Sequence, residues 1–169
     1  IRLIELLGLP HVTAPFEGEA QATHMVKKGD VDAVASQDFD SLLFGAPRII
    51  RNLSITGRRR IAGKQAYTTI QPEEIELSNV LNQLGIDHDQ LLVLGILVGT
   101  DFNYGGVKGI GPKKGLKLLK EHGHNYDAIF KSLDWPFPHT WKDIYTAFKD
   151  MQITDDYTLH WGAPQPDRL

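Results

Sequence analysis

Five carboxylates stand where the pattern of the chain changes. Glu17 and Glu19 flank Gly18, Asp38 and Asp40 follow an apolar run, and Asp101 follows Gly99-Thr100. Taken singly they have ordinary readings: Glu19 as a first-turn acid that suits a helix dipole, Asp38 or Asp101 as a helix cap. Taken together they ask for more. Acids converging with no Lys or Arg among them repel unless cations sit between them. Hard oxygen ligands in that number select Mg²⁺ or Mn²⁺ over zinc. Geometry adds two conditions. Residues two apart on a helix do not face each other, so Glu17 and Glu19 share a target only if Glu17 still lies in the turn that Gly18 permits. Asp38 and Asp40, two apart in an extended segment, project to one side, at a strand end where open α/β sheets place their ligands.

A second chemistry sits in Gly106-Val107-Lys108-Gly109-Ile110-Gly111-Pro112-Lys113-Lys114-Gly115-Leu116. Pro112 suits the first position of a helix, and Gly109 and Gly111 let backbone approach a partner just before it. The unsatisfied N–H groups of a helix start favour a phosphate, and Lys108, Lys113, Lys114 and Lys117 surround the place where one would sit. Pro after Gly111 and the lack of Gly-Lys-Ser/Thr exclude a nucleotide-binding Walker loop. The pattern reads as a helix–hairpin–helix that grips a nucleic-acid backbone without reading bases; the plain alternative is a turn with a solvated Lys face. Other candidates carry less. His122 and His124 lack the partners of a zinc motif. Arg58-Arg59-Arg60 reads as a solvated hairpin tip before a DNA contact, and Trp135, Phe137 and Trp141 as aromatics packing a late loop onto the body.

These residues need elements to position them. Ile1, Ile4 and Leu7 form a periodic apolar run that starts without Met and reads as part of something longer. Leu9 to Ala14 is expected as a strand closed by Pro15, and Glu19 to Lys28 as a helix stopped by Gly29. Val31 to Ser36 has the pattern of a strand buried on both faces. Ile49 to Ile55 and Ala66 to Ile70 are β-like, with a turn at Thr56-Gly57 between them. Strands alternating with helices predict an α/β fold, a twisted and mostly parallel sheet flanked by helices. From Pro72 the character turns helical: Pro72-Glu73-Glu74 starts a helix running to Leu84, with others over Asp89 to Val98, Pro112 to Glu121 and Tyr126 to Leu133. This divides one structural domain into an α/β part at 1–71 and a helical part at 72–161. The hairpin region lies at about 89–123 and a loose end at 162–169.

Composition narrows the classes. With 169 residues, 41% apolar and 23% charged, the chain is an ordinary globular domain that needs neither disulfide nor structural metal to fold. The absence of Cys excludes thiol catalysis and Cys-ligated zinc. The net charge of −3 hides a segregation: no Lys or Arg between Gln65 and Val107, five Lys and no acid from Lys108 to Lys120, five basic residues and no acid from Arg51 to Lys64. Such blocks point to a polyanion on one side and cation chemistry on the other.

Four motifs, in this order and spacing, resemble the internal catalytic region of the flap structure-specific endonucleases of the 5′ nuclease superfamily. They are Ala14-Pro15-Phe16-Glu17-Gly18-Glu19-Ala20-Gln21-Ala22, Ser36-Gln37-Asp38-Phe39-Asp40-Ser41-Leu42-Leu43-Phe44-Gly45, Val98-Gly99-Thr100-Asp101-Phe102-Asn103 and Gly106 to Lys113. The resemblance covers Leu3 to Trp161 and is nearest to archaeal members over Ile61 to Leu84. It implies a metal-dependent hydrolase, an endonuclease and 5′ exonuclease that cuts flapped or branched duplex DNA in replication and repair with two Mg²⁺ or Mn²⁺ ions. It implies that Glu17, Glu19 and Asp38 mainly hold the first ion and that Asp40 and Asp101 lean to the second. Lys108, Gly109, Gly111, Lys113, Lys114 and Lys117 would grip the duplex, with a K⁺ held by hairpin carbonyls. It further implies a monomer, no membrane, and an intracellular setting, cytoplasmic if archaeal and nuclear if eukaryotic.

The departures set expectations too. In the family two Asp ligands, the basic residues that meet the scissile phosphate and a helical arch belong to an amino-terminal half, and a sliding clamp is met by a carboxyl-terminal peptide; this sequence shows neither. Phe16 stands where a small residue is usual and Gly115 where Ala is common. The chain alone is therefore expected to cleave poorly or not at all. Two alternatives remain: a non-catalytic duplex-binding fragment with an incomplete metal site, and a related metal-dependent RNase, which the hairpin disfavours.

Overall fold

The computed structural model describes residues 1–54, 57–60, 67–165 and 167. Within them α1 (Arg2–Leu6) and α2 (Gly18–Lys28) come first, then β1 (Val34–Ala35), α3 (Asp40–Leu43) and β2 (Arg48–Arg51). The strands β3 (Gly57–Arg60), β4 (Tyr67–Ile70) and β5 (Glu73–Glu76) follow, then α4 (Leu77–Leu84), α5 (His88–Val98), α6 (Pro112–His122), α7 (Tyr126–Lys131) and α8 (Trp141–Lys149).

The fold is mixed α/β, a small sheet flanked by helices, as expected. Its strand neighbours differ from expectation. β1 pairs with β2 in parallel, Val34 opposite Ile49, but β5 joins the other side of β2 antiparallel, and β3 and β4 form a separate antiparallel ribbon. Among the described residues, parallel pairing is thus the minority. The run Val31 to Ser36 contributes only two strand residues, with Val34 buried and Ala35 exposed. The Thr56-Gly57 turn involves a residue outside the described ones, as does most of the segment before Tyr67.

The largest correction is at Pro72. Glu73 to Glu76 is strand rather than helix start, because it has partners across β2: Ile75 opposes Ile49, and Arg48 and Arg51 oppose the acids. Arg51 Nη1 lies 3.6 Å from Glu73, and Arg48 lies 2.8 Å from Glu74 and 3.5 Å from Glu76. Exposed pairs of this kind contribute about 0.2–1 kcal/mol each. That is comparable with the helix-start preferences they override, and Ile75 on the core face adds apolar contact. Leu9 to Ala14 is irregular and pairs with no strand among the described residues. Gly8 and Leu6 carbonyls instead accept from Gly162 and Gln165 N–H at 2.9 and 2.8 Å, so the segment expected as a loose end is tied down at these two residues. Residues 166, 168 and 169 lie outside the described ones.

The core forms around α5. Leu91, Leu92, Val93, Leu94, Ile96 and Leu97 are all buried, so this helix is apolar on every side and runs through the centre. Its start is set by a reciprocal capping box between Asp87 and Gln90. Against it pack Val34, Leu42 and Ile49 from the sheet side and Leu119, Ile129, Ile144 and Phe148 from the helical side. Each fully buried aliphatic side chain contributes about 1.5–3 kcal/mol. Phe130 stacks on Trp141 at 4.8 Å and meets Trp135 edge-on at 5.3 Å, the packing role expected of these late aromatics. Helix α8 went unread in the sequence, although Thr140 and Asp143 form a capping box at its start. No helix among the described residues is long and apolar enough to cross a membrane.

Candidate metal centre and nucleic-acid interface

Glu17 and Glu19 meet the condition set by their spacing. Glu17 is the N-cap of α2 with extended backbone, φ −82° and ψ 128°, while Glu19 lies in the first helical turn. The pair therefore straddles the helix start instead of standing on one helix. Glu19 Oε1 accepts from the Ser36 hydroxyl at 3.3 Å, which ties the helix start to the end of β1.

Asp38 and Asp40 are brought together by a different device from the one expected. They do not project side by side from an extended strand. Ser36 Oγ accepts the Asp38 N–H at 3.0 Å, and Asp38 Oδ1 accepts the Asp40 N–H at 3.1 Å. Short polar side chains that bond to backbone two residues on close turns, and here they end β1 and open α3 with Asp40 as its first residue. Ser36 thus serves both acid pairs through one hydroxyl. It lies inside a quoted motif, yet its type and position gave no signal of this role.

Asp101 is carried by a locked loop. Helix α5 ends at Gly99, φ 122° and ψ 139°, where a Cβ would lie 2.7 Å from the Gly106 nitrogen. Gly106 crosses it closely, and a Cβ there would meet the Val98 carbonyl. Between them Asn103, 1% exposed, donates from Nδ2 to the Ile96 carbonyl at 2.7 Å. Its Oδ1 accepts from the Thr100 N–H at 3.2 Å and the Thr100 hydroxyl at 2.7 Å. Buried polar groups that are all satisfied rigidify a loop. Asn103 was also missed, because nothing in the sequence separates a buried Asn from a turn Asn.

Asp38, Asp40 and Asp101 line one open hollow of ≈ 230 Å³ together with Val98, Gly99, Thr100, Tyr104 and Gly105, and no Lys or Arg is among these residues. Volume does not single it out, since a hollow lined by Leu9, His11, His160 and Gly162 measures ≈ 350 Å³; charge does. Burial pushes the Asp40 carboxyl up from 3.8 to about 6. The charges of Asp38, Asp101, Glu19 and Glu17 push in the same direction. Glu17 and Glu19 do not line the hollow, but their charge reaches Asp40 within it. The five acids are neighbours in a shared field and not yet a cage: among the described residues no three His, Asp or Glu side chains are close enough to hold a single ion. The donor set still fits a hard divalent cation, because the acids are oxygen donors without competing ammonium or guanidinium groups in the hollow.

The glycine-lysine segment leads from the same loop. Val107 N–H donates to Leu97 O at 2.9 Å, Ile110 N–H donates to Val107 O at 2.9 Å, and both side chains are buried. Gly109 has φ 77°, and Gly111 caps α6 with Pro112 in its first turn. Nothing lies within 4 Å of a Cβ built on Gly109 or Gly111, so both face open space. Gly115 is the tight glycine, its built Cβ 2.7 Å from Leu94 Cδ1, where α6 packs on α5. Lys108, Lys113, Lys114 and Lys117 are exposed, and Lys117 pairs with Glu121 at 3.6 Å. The arrangement is helix, hairpin, helix, with an exposed basic helix start. Arg58, Arg59 and Arg60 lie on β3 by their backbone. His122 is exposed, and His124 Nε2 lies 2.6 Å from Asp87 as a plain pair.

Acids gathered at the starts of α2 and α3 and the ends of β1 and α5 are followed directly by a basic helix–hairpin–helix, so one mixed α/β fold sets an acidic hollow beside an exposed basic helix start. The XPG I-region matches residues 8–101, a span that holds the five acids and stops before the hairpin, and the chain belongs to that family. It is similar to Flap endonuclease 1 of Korarchaeum cryptofilum, 53% identical over 99% of this chain and 48% of the relative. Flap endonuclease 1 of Ignicoccus hospitalis is 46% identical over 99% of this chain and 47% of the relative. The chain thus spans about half the length of the curated relatives it matches. Among solved structures, flap endonuclease-1 from Methanococcus jannaschii superposes with a TM-score of 0.81 at 42% identity, covering 99% of this chain and 47% of that one. The catalytic core of Rad2 in complex with DNA substrate shares the fold, TM-score 0.74 at 24% identity over 99% of this chain and 58% of that one.

Proposed function

We propose that this chain is the internal, metal-holding and duplex-gripping region of a structure-specific 5′ flap endonuclease that hydrolyses DNA phosphodiesters at branched junctions. The single observation that carries the reading is the hollow lined by Asp38, Asp40 and Asp101 with no Lys or Arg, in which burial, with the neighbouring acids, raises Asp40 to about 6. The relatives named Flap endonuclease 1 and a solved relative bound to DNA substrate support it.

In this reading Glu17, Glu19 and Asp38 hold a first divalent cation, and Asp40 and Asp101 lean to a second. Bound there, Mg²⁺ or Mn²⁺ supplies an acidified water and neutralises charge on the phosphodiester. The chain's own contribution is positional. Ser36 holds Glu19 and the Asp38 backbone in register. Asn103 locks the loop that presents Asp101. The Gly109–Gly111 hairpin offers backbone and Lys108, Lys113, Lys114 and Lys117 to duplex phosphates, with a K⁺ at its carbonyls. The whole protein would act inside the cell as a monomer, on branched or flapped duplex DNA. It would meet a sliding clamp through residues other than these.

One titration tests the proposal. Melting temperature followed across millimolar Mg²⁺ and Mn²⁺ rises if the acids hold cations, by an amount that follows RT ln(1 + [L]/Kd), about 2.7 kcal/mol at a hundred times Kd. A melting temperature that does not move would reduce the acids to scattered caps.

A further inference from the structure

We infer that Tyr104 is a stacking platform for a nucleobase of the strand whose phosphate enters the carboxylate hollow, an inference that rests on the proposed reading of that hollow. Tyr104 is 92% exposed and lines the same hollow as Asp38, Asp40 and Asp101. A lone exposed Tyr is ordinary. This one differs in its mount and its place.

The residue before it is Asn103, immobilised by its side-chain bonds to Ile96 and Thr100. On the other side the chain turns at Gly105, φ 82°, and Gly106 N–H returns to the Asn103 carbonyl at 3.0 Å. The ring is therefore carried on fixed backbone at the edge of an anionic hollow, a placement that a core-packing role does not need. Phe39 shows the contrast. It lies between Asp38 and Asp40 and is 48% exposed, but Arg51 already covers its face at 4.2 Å. Among the described residues, Tyr104 makes no ring or cation contact.

The chemistry selects a nucleotide. Apart from Val98, the remaining lining is glycine and polar residues, too little apolar surface for an aliphatic ligand. A nucleotide joins a flat aromatic base to a phosphate through one sugar, which matches a ring and an acid-rich, cation-seeking wall in one hollow. Stacking on a base is uncharged and tolerant of sequence. It supplies attraction in a hollow where Asp38, Asp40 and Asp101 repel the incoming phosphate.

The test uses a full-length protein carrying this segment and a 5′-flap DNA with 2-aminopurine placed singly at each nucleotide flanking the scissile phosphate, bound in Ca²⁺. The parent should change the fluorescence at one of these positions. Tyr104→Ala should abolish that change and weaken binding about 5- to 100-fold, the range set by one base–aromatic stack. Tyr104→Phe should keep both. The exposed position makes both variants safe for folding, which unchanged melting would verify. Parent-like fluorescence and affinity in Tyr104→Ala would overturn the inference, as would Tyr104→Phe behaving like Tyr104→Ala. Asp38→Ala in Mg²⁺ separates the two layers. If it still cleaves like the parent, the reading of the hollow fails. If it is inactive while Tyr104→Ala binds and fluoresces like the parent, only the stacking role fails.

Discussion

Asp40→Asn should stabilise the cation-free chain at neutral and alkaline pH and leave it almost unchanged near pH 4. The folded carboxyl ionises at about 6 against 3.8 in the unfolded chain, so ionisation opposes folding. Stability is complete below 3.8, is lost as pH rises through the interval, and the loss is finished above about 6. Each pH unit between the two values corresponds to about 1.36 kcal/mol, which gives roughly 3 kcal/mol before solvent is considered. The side chain is only half-buried, so about half of that survives screening, near 1.5 kcal/mol. Against it stands the favourable charge of an acid in the first turn of α3. That helix is a single turn, so its dipole contributes at the low end, about 0.3 kcal/mol. The cost of ionising Asp40, burial first and repulsion second, wins by about 1 kcal/mol, or about 2–4 °C in Tm for a domain of this size. The assay is urea and thermal unfolding of parent and variant in EDTA at pH 4, 6 and 8. A gain that is equal at all three pH values, or a loss at pH 8, would show that neither burial nor the neighbouring acids raise Asp40. In saturating Mg²⁺ the sign should invert, because the variant has lost a ligand.

Three further outcomes are expected. Asn103→Ala strands the Thr100 N–H and the Ile96 carbonyl in a buried place, so unfolding should become easier by about 2–4 kcal/mol, and a denaturation midpoint within error of the parent would count against the locked loop. Lys113→Ala should weaken duplex binding equally for all sequences and lower the log–log salt slope by roughly one, whereas Gly111→Val should weaken it more, and parent-like salt titrations of both would leave the segment a solvated turn. Gly106→Ala puts a Cβ against the Val98 carbonyl at φ 61°, so the chain should lose cooperative unfolding, and a parent-like melting curve would contradict the crossing at Gly99.

What the sequence made legible follows local rules. Gly29 and Gly85 end their helices in left-handed conformation, Pro112 opens α6, and the apolar run Leu91 to Val98 is the central helix, each readable from residue type alone. The carboxylates could be listed because their types and positions at element ends are unusual. What escaped reading depends on partners far along the chain. Glu73 to Glu76 has the chemistry of a helix start, and its partners on β2, Arg48 and Arg51 for the acids and Ile49 for Ile75, make it a strand. Leu9 to Ala14 has strand-like residues but no neighbour to bond. The turn that joins Asp38 to Asp40, the shared Ser36 hydroxyl and the burial of Asn103 are tertiary facts, invisible until the ends of α2, β1 and α5 meet. The exposed Tyr104 could not be told from a buried one by its letter.

In the proposed function, five carboxylates from α2, the end of β1, α3 and the loop after α5 hold the cations of a DNA-cleaving centre. Single-turnover hydrolysis of a 5′-flap substrate in Mg²⁺, by a full-length protein carrying this segment, measures it most directly when parent, Asp38→Ala and Asp101→Ala are compared alongside binding in Ca²⁺. Both variants should lose cleavage by about a hundredfold or more, in line with losing a cation ligand, while their duplex affinity stays the same or rises. Parent-like cleavage rates in both variants, or equal losses of cleavage and binding, would contradict it.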